Sequence, residues 1–309
     1  MTAGPMPEFT IVDRRASAPG PEVTVPAGYR LHALLLGHCD EQEMRDVRRD
    51  LAIDDGAADR VVAGWERARR LNAGAAPLDP AAALVPVQSA DAIAEITRLM
   101  GRPEYRAAFP DGTWAPALVE IGQLIPVRLS LDLESAREFG TTDLDPADPL
   151  SALPICFAPR AAARFDVDTD RAQESITVSA ADPGLTVMGL RYTRQGENGP
   201  LVVSFMIGAP PPLVVVLRHG GRLFLSSGAE PVFHLMQRGF TRLPCVVRDV
   251  ASLSHIVVPD ATGFRAAALL APRPPLISDF ADEELSVVAP GRSMRRVVRI
   301  RPDLFDVGI

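Results

Sequence analysis

Lysine is absent from this sequence: all 32 basic residues among its 309 are arginine. The absence excludes chemistry that needs a lysine amine, such as the phosphate-gripping lysine of a Walker loop, the kinase strand lysine, Schiff bases and pyridoxal phosphate attachment. It reads as a trace of genomic base composition. Aromatic residues make up only 6%, so the core has to be built from Val, Leu, Ile and Ala. The three cysteines, Cys39, Cys156 and Cys245, are odd in number and far apart. They form no disulfide framework and suit a reducing cytoplasm, which is the expected location. The longest strongly apolar stretches, such as residues 212–217, stop far short of the roughly 20 residues of a membrane helix. Residues 1–15 show no apolar segment of a secretory signal. A soluble protein without membrane insertion is expected.

The composition that remains is globular, with 47% apolar residues, 23% charged residues and a net charge of -7. The length allows one large domain or two of ordinary size, roughly 100–150 residues each. Net acidity argues against affinity of the whole protein for nucleic acid and leaves room only for a local basic patch.

Along the chain, residues 1–27 are rich in Pro and Gly and read as an extended arm with two strand-like pieces, pinned to a sheet edge. Residues 28–75 form a helical region. Asp40 and Glu43 make a capping box for a helix running to about Leu51. Val61, Val62, Trp65, Ala68 and Leu71 then share one face of a second helix. The pair reads as a helical hairpin; nothing after the turn resembles a base-reading recognition helix. Residues 72–83 mark a boundary, and residues 80–260 an α+β core. Ser89 can cap a helix there, and residues 175–179, 185–193 and 201–207 read as strands. Residues 213–217 and 222–226 flank Gly220-Gly221, which supplies the positive φ of a tight hairpin turn. A helix follows Gly228 and ends at Gly239; residues 243–247 return as a strand. Pro272–Pro275 reads as a second linker, before a C-terminal strand region (276–309) packing on the core. The expected fold class is α+β, a mixed or antiparallel sheet core with a few short helices.

The hairpin, glycine, helix and strand of residues 213–247 resemble the signature stretch of the ParB/sulfiredoxin-like superfamily. Gly228 matches the family glycine, Gly239 the helix-ending glycine, and Leu243-Pro244-Cys245-Val246-Val247 the last strand. The resemblance covers about 35 of 309 residues. It implies a phosphate cradle in which backbone N–H groups, a helix N-terminus and an arginine meet an anion. Here Gly228, Ala229 and Glu230 form the turn, and Arg222 or Arg238 would have to supply the charge. The family's His-Arg pair is replaced by Glu230 and Pro231, and a carboxylate at the mouth repels phosphate. The resemblance therefore implies the fold and a degenerate, non-catalytic member, a pseudoenzyme.

Other constellations are weaker. His38-Cys39-Asp40 lacks the remaining ligands of a zinc site and reads as a surface turn. Cys156 and Cys245 read as buried structural thiols. Asp166-x-Asp168-x-Asp170 begins like a calcium loop, but Arg171 and Thr177 occupy the positions that need Gly and Glu, leaving an acidic surface loop. Ser226, Ser227 and His234 lack a nucleophile elbow and an orienting acid, so His234 reads as a packed helix residue. Arg292, Arg295, Arg296, Arg299 and Arg301 lie within ten residues. As a strand, Arg295, Val297, Arg299 and Arg301 share a face, which reads as a solvated surface answering the acidic run Asp279–Glu284, or as a contact for an acidic protein partner. No aromatic interleaves them, so a base-stacking platform is not expected.

The functional expectation is a non-enzymatic binding or assembly protein with a protein partner, without metal or cofactor, on a degenerate ParB/sulfiredoxin-like core. Two alternatives stand beside it: a nucleotide-dependent enzyme using the Gly228 turn as a cradle for ATP or CTP, and a nucleic-acid-associated regulator.

Overall fold

A computed structural model describes residues 9–11, 23–25, 28–53, 55–79, 84–102, 105, 113–137, 139, 144–157, 165–172, 174–180, 185–196, 199–208, 213–258, 262–292 and 296–301. The fold is α+β. Strands β1 (Phe9–Ile11), β2 (Val23–Val25) and β3 (Tyr29–Leu34) lead into helices α1 (Glu41–Asp50) and α2 (Ala58–Gly74). Then come β4 (Leu84–Pro86), α3 (Ala90–Met100), β5 (Ala115–Glu120), β6 (Leu124–Pro126), β7 (Ser130–Asp132) and the short helices α4 (Leu133–Arg137) and α5 (Leu153–Cys156). Strands β8 (Asp166–Asp170), β9 (Ser175–Ala180), β10 (Thr186–Arg194), β11 (Leu201–Gly208), β12 (Val215–His219) and β13 (Arg222–Ser227) precede helix α6 (Ala229–Gln237). Strand β14 (Arg242–Asp249), helix α7 (Ala266–Leu269), and strands β15 (Val287–Arg292) and β16 (Arg296–Ile300) complete the order.

The chain forms two compact units. One comprises residues 1–97, 112–158 and 212–293, the other residues 98–111, 159–211 and 294–309. The boundaries differ from those expected: the 80–260 core divides, because residues 159–211 leave it for the second unit. The C-terminal region divides as well. Strand β15 pairs with β3 in the first unit, while β16 pairs with β9 in the second. Pro272–Pro275 is no linker. Pro274 and Pro275 are buried, and the Pro272 carbonyl accepts the Leu78 N–H at 2.8 Å. The arm's described strands, β1 and β2, pair antiparallel with each other rather than extending a larger sheet.

In the first unit a six-stranded sheet has the order β4-β5-β14-β12-β13-β6. Strands β12 and β14 run parallel, as do β13 and β6; the other neighbours are antiparallel. A parallel β12–β14 pair needs a crossover, and β13 with α6 supplies it. Val232, Phe233 and Leu235 of α6 are at most 1% exposed, so each contributes about 1.5–3 kcal/mol of apolar burial. A three-stranded antiparallel sheet, β15-β3-β7, lies in the same unit.

The helical region keeps its local signals and changes its packing. Glu43 N–H donates to Asp40 Oδ1 at 2.8 Å and Asp40 N–H donates to Glu43 Oε2 at 2.6 Å, closing the capping box. Helix α2 does not run along α1 as a hairpin partner. It packs on the turn at Leu36–His38 and on β15. Gly64 permits the approach: a Cβ there would lie 2.1 Å from Val287 Cγ2.

In the second unit, β16-β9-β8 form an antiparallel sheet and β10-β11 a separate two-stranded ribbon. Val178, Ala180 and Leu185 form a small core, with Ile207 and Val298 packed against it. Asp166, Asp168 and Asp170 lie on strand β8, not on a loop.

Candidate functional site

The Gly228 turn is the first candidate. Gly228 caps α6 in the left-handed region, with φ 88 and ψ 29, and offers no side-chain cap. A Cβ at Gly228 would lie 2.7 Å from the Leu213 carbonyl oxygen and 2.9 Å from Val214 Cα. The segment leading into β12 therefore covers the glycine, which is buried. Its absent side chain is used twice, once for positive φ and once for backbone-to-backbone packing.

At the helix N-terminus the first-turn donors are few. Val232 N–H already donates to the Gly228 carbonyl at 3.1 Å, and Pro231 has no N–H. The Glu230 carboxylate is the acidic residue of that turn. A carboxylate there takes the favourable dipole position that a phosphate would need.

The structure does not bring Arg222 to this turn. Arg222 opens β13 and Gly228 follows its last residue, which separates them by about 20 Å of extended chain. The Arg222 guanidinium donates to the Leu269 and Ala271 carbonyls, both at 2.8 Å. It thus satisfies orphan acceptors at the end of α7. Arg238 sits at the C-terminal end of α6, about 14 Å along the axis from the mouth. Neither arginine supplies the cradle's positive charge.

His234 is a packed helix residue. Its ring lies 6.0 Å from that of Phe139. Burial holds its pKa below the usual histidine value, as does the nearby Arg238, while a hydrogen bond with the Ala136 backbone opposes them. His38-Cys39-Asp40 is a surface turn only at Asp40, which is exposed; Cys39 is buried and His38 half-buried. The His38 ring stacks edge-on with Phe264 at 6.1 Å, and the Cys39 carbonyl accepts the Trp65 indole N–H at 3.1 Å. Burial, and then the charge of Arg273, lower the His38 pKa to about 4. All three cysteines are buried and free. Burial pushes the Cys39 and Cys245 thiols up to about 12, and Cys156 well above its ordinary value. None is a nucleophile near neutral pH. Among the described residues no cluster of His, Cys, Asp or Glu could hold a metal ion.

On the arginine strand, Arg295 lies outside the described residues. Val297 and Arg299 are exposed on one face of β16, and Arg301 beyond it is exposed too. Registers across β9 place Arg299 opposite Thr177 and Thr177 opposite Asp168; Val297, Ser179 and Asp166 form the next row. The acids facing the arginines across this sheet are therefore those of β8, about 10 Å away between backbones. The acidic run Asp279–Glu284 is engaged within the first unit. Asp279 pairs with Arg273 at 2.7 Å, and Glu284 with Arg67 at 3.2 Å.

The β10-β11 ribbon is a surface that the reading of sites from sequence missed. Its cross-strand pairs are Val187 with Ile207, Leu190 with Phe205, Tyr192 with Val203 and Arg194 with Leu201; a bulge near Gly189 restores the alternation. These pairs share one face. Ile207 anchors the root of that face on the small core. Beyond it the apolar side chains are 44–75% exposed, Tyr192 most of all. The opposite face carries Gly189, Arg191, Thr193, Val202, Ser204 and Met206. The period-two pattern was in the sequence; the exposure of that face was not.

No family model matches the chain, and neither a curated protein nor a solved structure matches it. No helix among the described residues is long and apolar enough to cross a membrane.

Proposed function

We propose that this protein is a non-enzymatic binding or assembly protein built on a degenerate ParB/sulfiredoxin-like core. The order strand, Gly-Gly turn, strand, glycine, helix and parallel strand over residues 213–249 supports the resemblance. One observation carries the functional reading: the mouth of α6. Its glycine is occupied by packing against Leu213 and Val214, its first turn holds Glu230, and the Arg222 guanidinium is committed to α7. A nucleotide phosphate would meet a repelling carboxylate there, and neither Pro231 nor Val232 offers it an N–H. Its partner is a protein. The sheet face of Arg299 also carries Asp166 and Asp168, so its charge is compensated, which disfavours a phosphate backbone as the partner.

The test is a thermal-shift titration of the full chain with ATP, CTP and GTP, with and without Mg²⁺. The expected result is no saturable shift. A ligand at 100 times its dissociation constant stabilises by about 2.7 kcal/mol. A shift of that size for one nucleotide, abolished in Gly228→Val and strengthened in Glu230→Arg, would overturn the reading in favour of a nucleotide-dependent enzyme. A salt-sensitive gel shift weakened by Arg299→Glu would favour a nucleic-acid-associated regulator instead.

A further inference from the structure

Among the described residues of the second unit, no element covers one face of the β10-β11 ribbon. Val187, Leu190, Tyr192, Leu201, Val203 and Phe205 are 44%, 58%, 75%, 54%, 47% and 44% exposed. From ordinary side-chain areas they offer roughly 600–700 Å² of apolar surface, at or above the largest patch of a typical soluble monomer. A two-stranded ribbon is marginal by itself and needs a packed face to persist. Its anchoring core, Val178, Ala180 and Leu185, is small.

We propose that this face is the interface between two copies of the chain, packed ribbon on ribbon about a two-fold axis. Three observations select a second copy. The first is area. Two such faces together bury about 1,300 Å², within the range of a specific interface. The second is chemistry. The face is apolar along its length except for the Tyr192 hydroxyl and for Arg194 beside Leu201 at the tip. An identical face therefore covers it without burying a charge, since the tip stays at the rim, and an isologous contact requires one self-complementary surface only. The third is charge. The chain carries a net -7, and the ribbon faces bring only Arg191 and Arg194, so an anionic lipid surface is a poor occupant. The dimer is a sandwich of two ribbons whose outer faces carry Arg191, Thr193, Val202, Ser204 and Met206.

This inference stands apart from the reading of the α6 mouth. The nucleotide titration tests that reading and leaves this one untouched.

The experiment is sedimentation equilibrium on the full chain from about 1 to 100 μM, with the wild type, Leu190→Glu/Phe205→Glu and, on the opposite face, Thr193→Glu. The expected mass is twice the 33.2 kDa of one chain for the wild type and Thr193→Glu, and a single chain for the double variant. The replaced residues are already about half exposed, and the far-ultraviolet circular dichroism of the β-strands, compared with that of the wild type, checks that the variant folds. A second measurement does not depend on the double variant. With the native cysteines buried, Tyr192→Cys gives an intermolecular disulfide under mild oxidation, whereas Thr193→Cys does not. A wild type that stays monomeric to 100 μM overturns the proposal, as does an unchanged dimer in the double variant or equal cross-linking from both positions. A monomer that floats with anionic phospholipid vesicles overturns it too and assigns the face to a membrane.

Discussion

Replacing Gly228 by alanine separates the two demands its site makes. The backbone at φ 88 costs an L-residue about 1–2 kcal/mol. The new Cβ would meet the Leu213 oxygen at 2.7 Å and Val214 Cα at 2.9 Å. Both are backbone atoms of the segment entering the central strand β12, and relieving such overpacking costs about 1–3 kcal/mol more. The total, about 2–5 kcal/mol, is a large share of the 5–15 kcal/mol typical of a folded domain. Gly239→Ala is the matched control. Its φ is 91, yet the nearest atoms to its Cβ are those of Pro146 at 3.9 Å, so only the backbone cost of about 1–2 kcal/mol applies. Urea unfolding followed by tryptophan fluorescence reports on the first unit, where both tryptophans lie. The expected result is Gly228→Ala less stable than Gly239→Ala by about 1–3 kcal/mol at unchanged slope. Equal midpoints would refute the reasoning. The glycine would then not be held by packing against residues 213–214, and close approach of a ligand would become the better explanation for it.

Three further outcomes follow from the interior. Because all three thiols are buried and their pKa values raised, the native protein at pH 8 should give almost no fast reaction with a thiol reagent, and three equivalents once denatured; one fast native thiol would contradict the packing. His38 is held at about 4 in the folded state against 6.5 otherwise, so between these values the unfolded chain binds more protons and stability rises with pH. That stability is fully present above pH 6.5 and lost as pH falls toward 4; His38→Phe should flatten urea midpoints across this window, and an unchanged slope would refute the assignment. Asp279 and Arg273 form a 2.7 Å ion pair with side chains only 6% and 16% exposed. Removing one partner strands a buried charge, so Asp279→Ala should cost about 3–5 kcal/mol in the same assay, and a loss below about 1 kcal/mol would show that water reaches Arg273.

What could be read without coordinates was local chemistry. The Asp40–Glu43 capping box, the Gly220-Gly221 turn, the positive φ of Gly228 and Gly239, and the alternation that exposes Val297 and Arg299 all depend on residues within a few positions of each other. Steric and hydrogen-bonding rules at that range act the same in any fold. The capping box and turns therefore survived, as did the β12–β13 hairpin and the helix after Gly228, while the helical hairpin of α1 and α2 did not. Helix α1 was capped as expected, but the packing of α2 on β15 involves a bare Cα at Gly64 set against a Val287 methyl 223 positions later.

The same division runs through the candidate sites. That Glu230 and Pro231 stand where the resembled family has its His-Arg pair is visible in the order of residues. That Arg222 is held elsewhere depends on the Leu269 and Ala271 carbonyls, 47 and 49 positions away. The β9 register puts Asp168, 131 positions away, in one row with Arg299, which nothing near Arg299 in the sequence announces. The alternation of the β10-β11 ribbon announces one apolar face, and only the tertiary structure shows it exposed. Sequence by itself determined local geometry, since that is decided by nearest neighbours along the chain. Which faces meet and which are left open was decided by the tertiary structure, since pairing across long loops depends on the packing of every other element and leaves no mark on the residues in between.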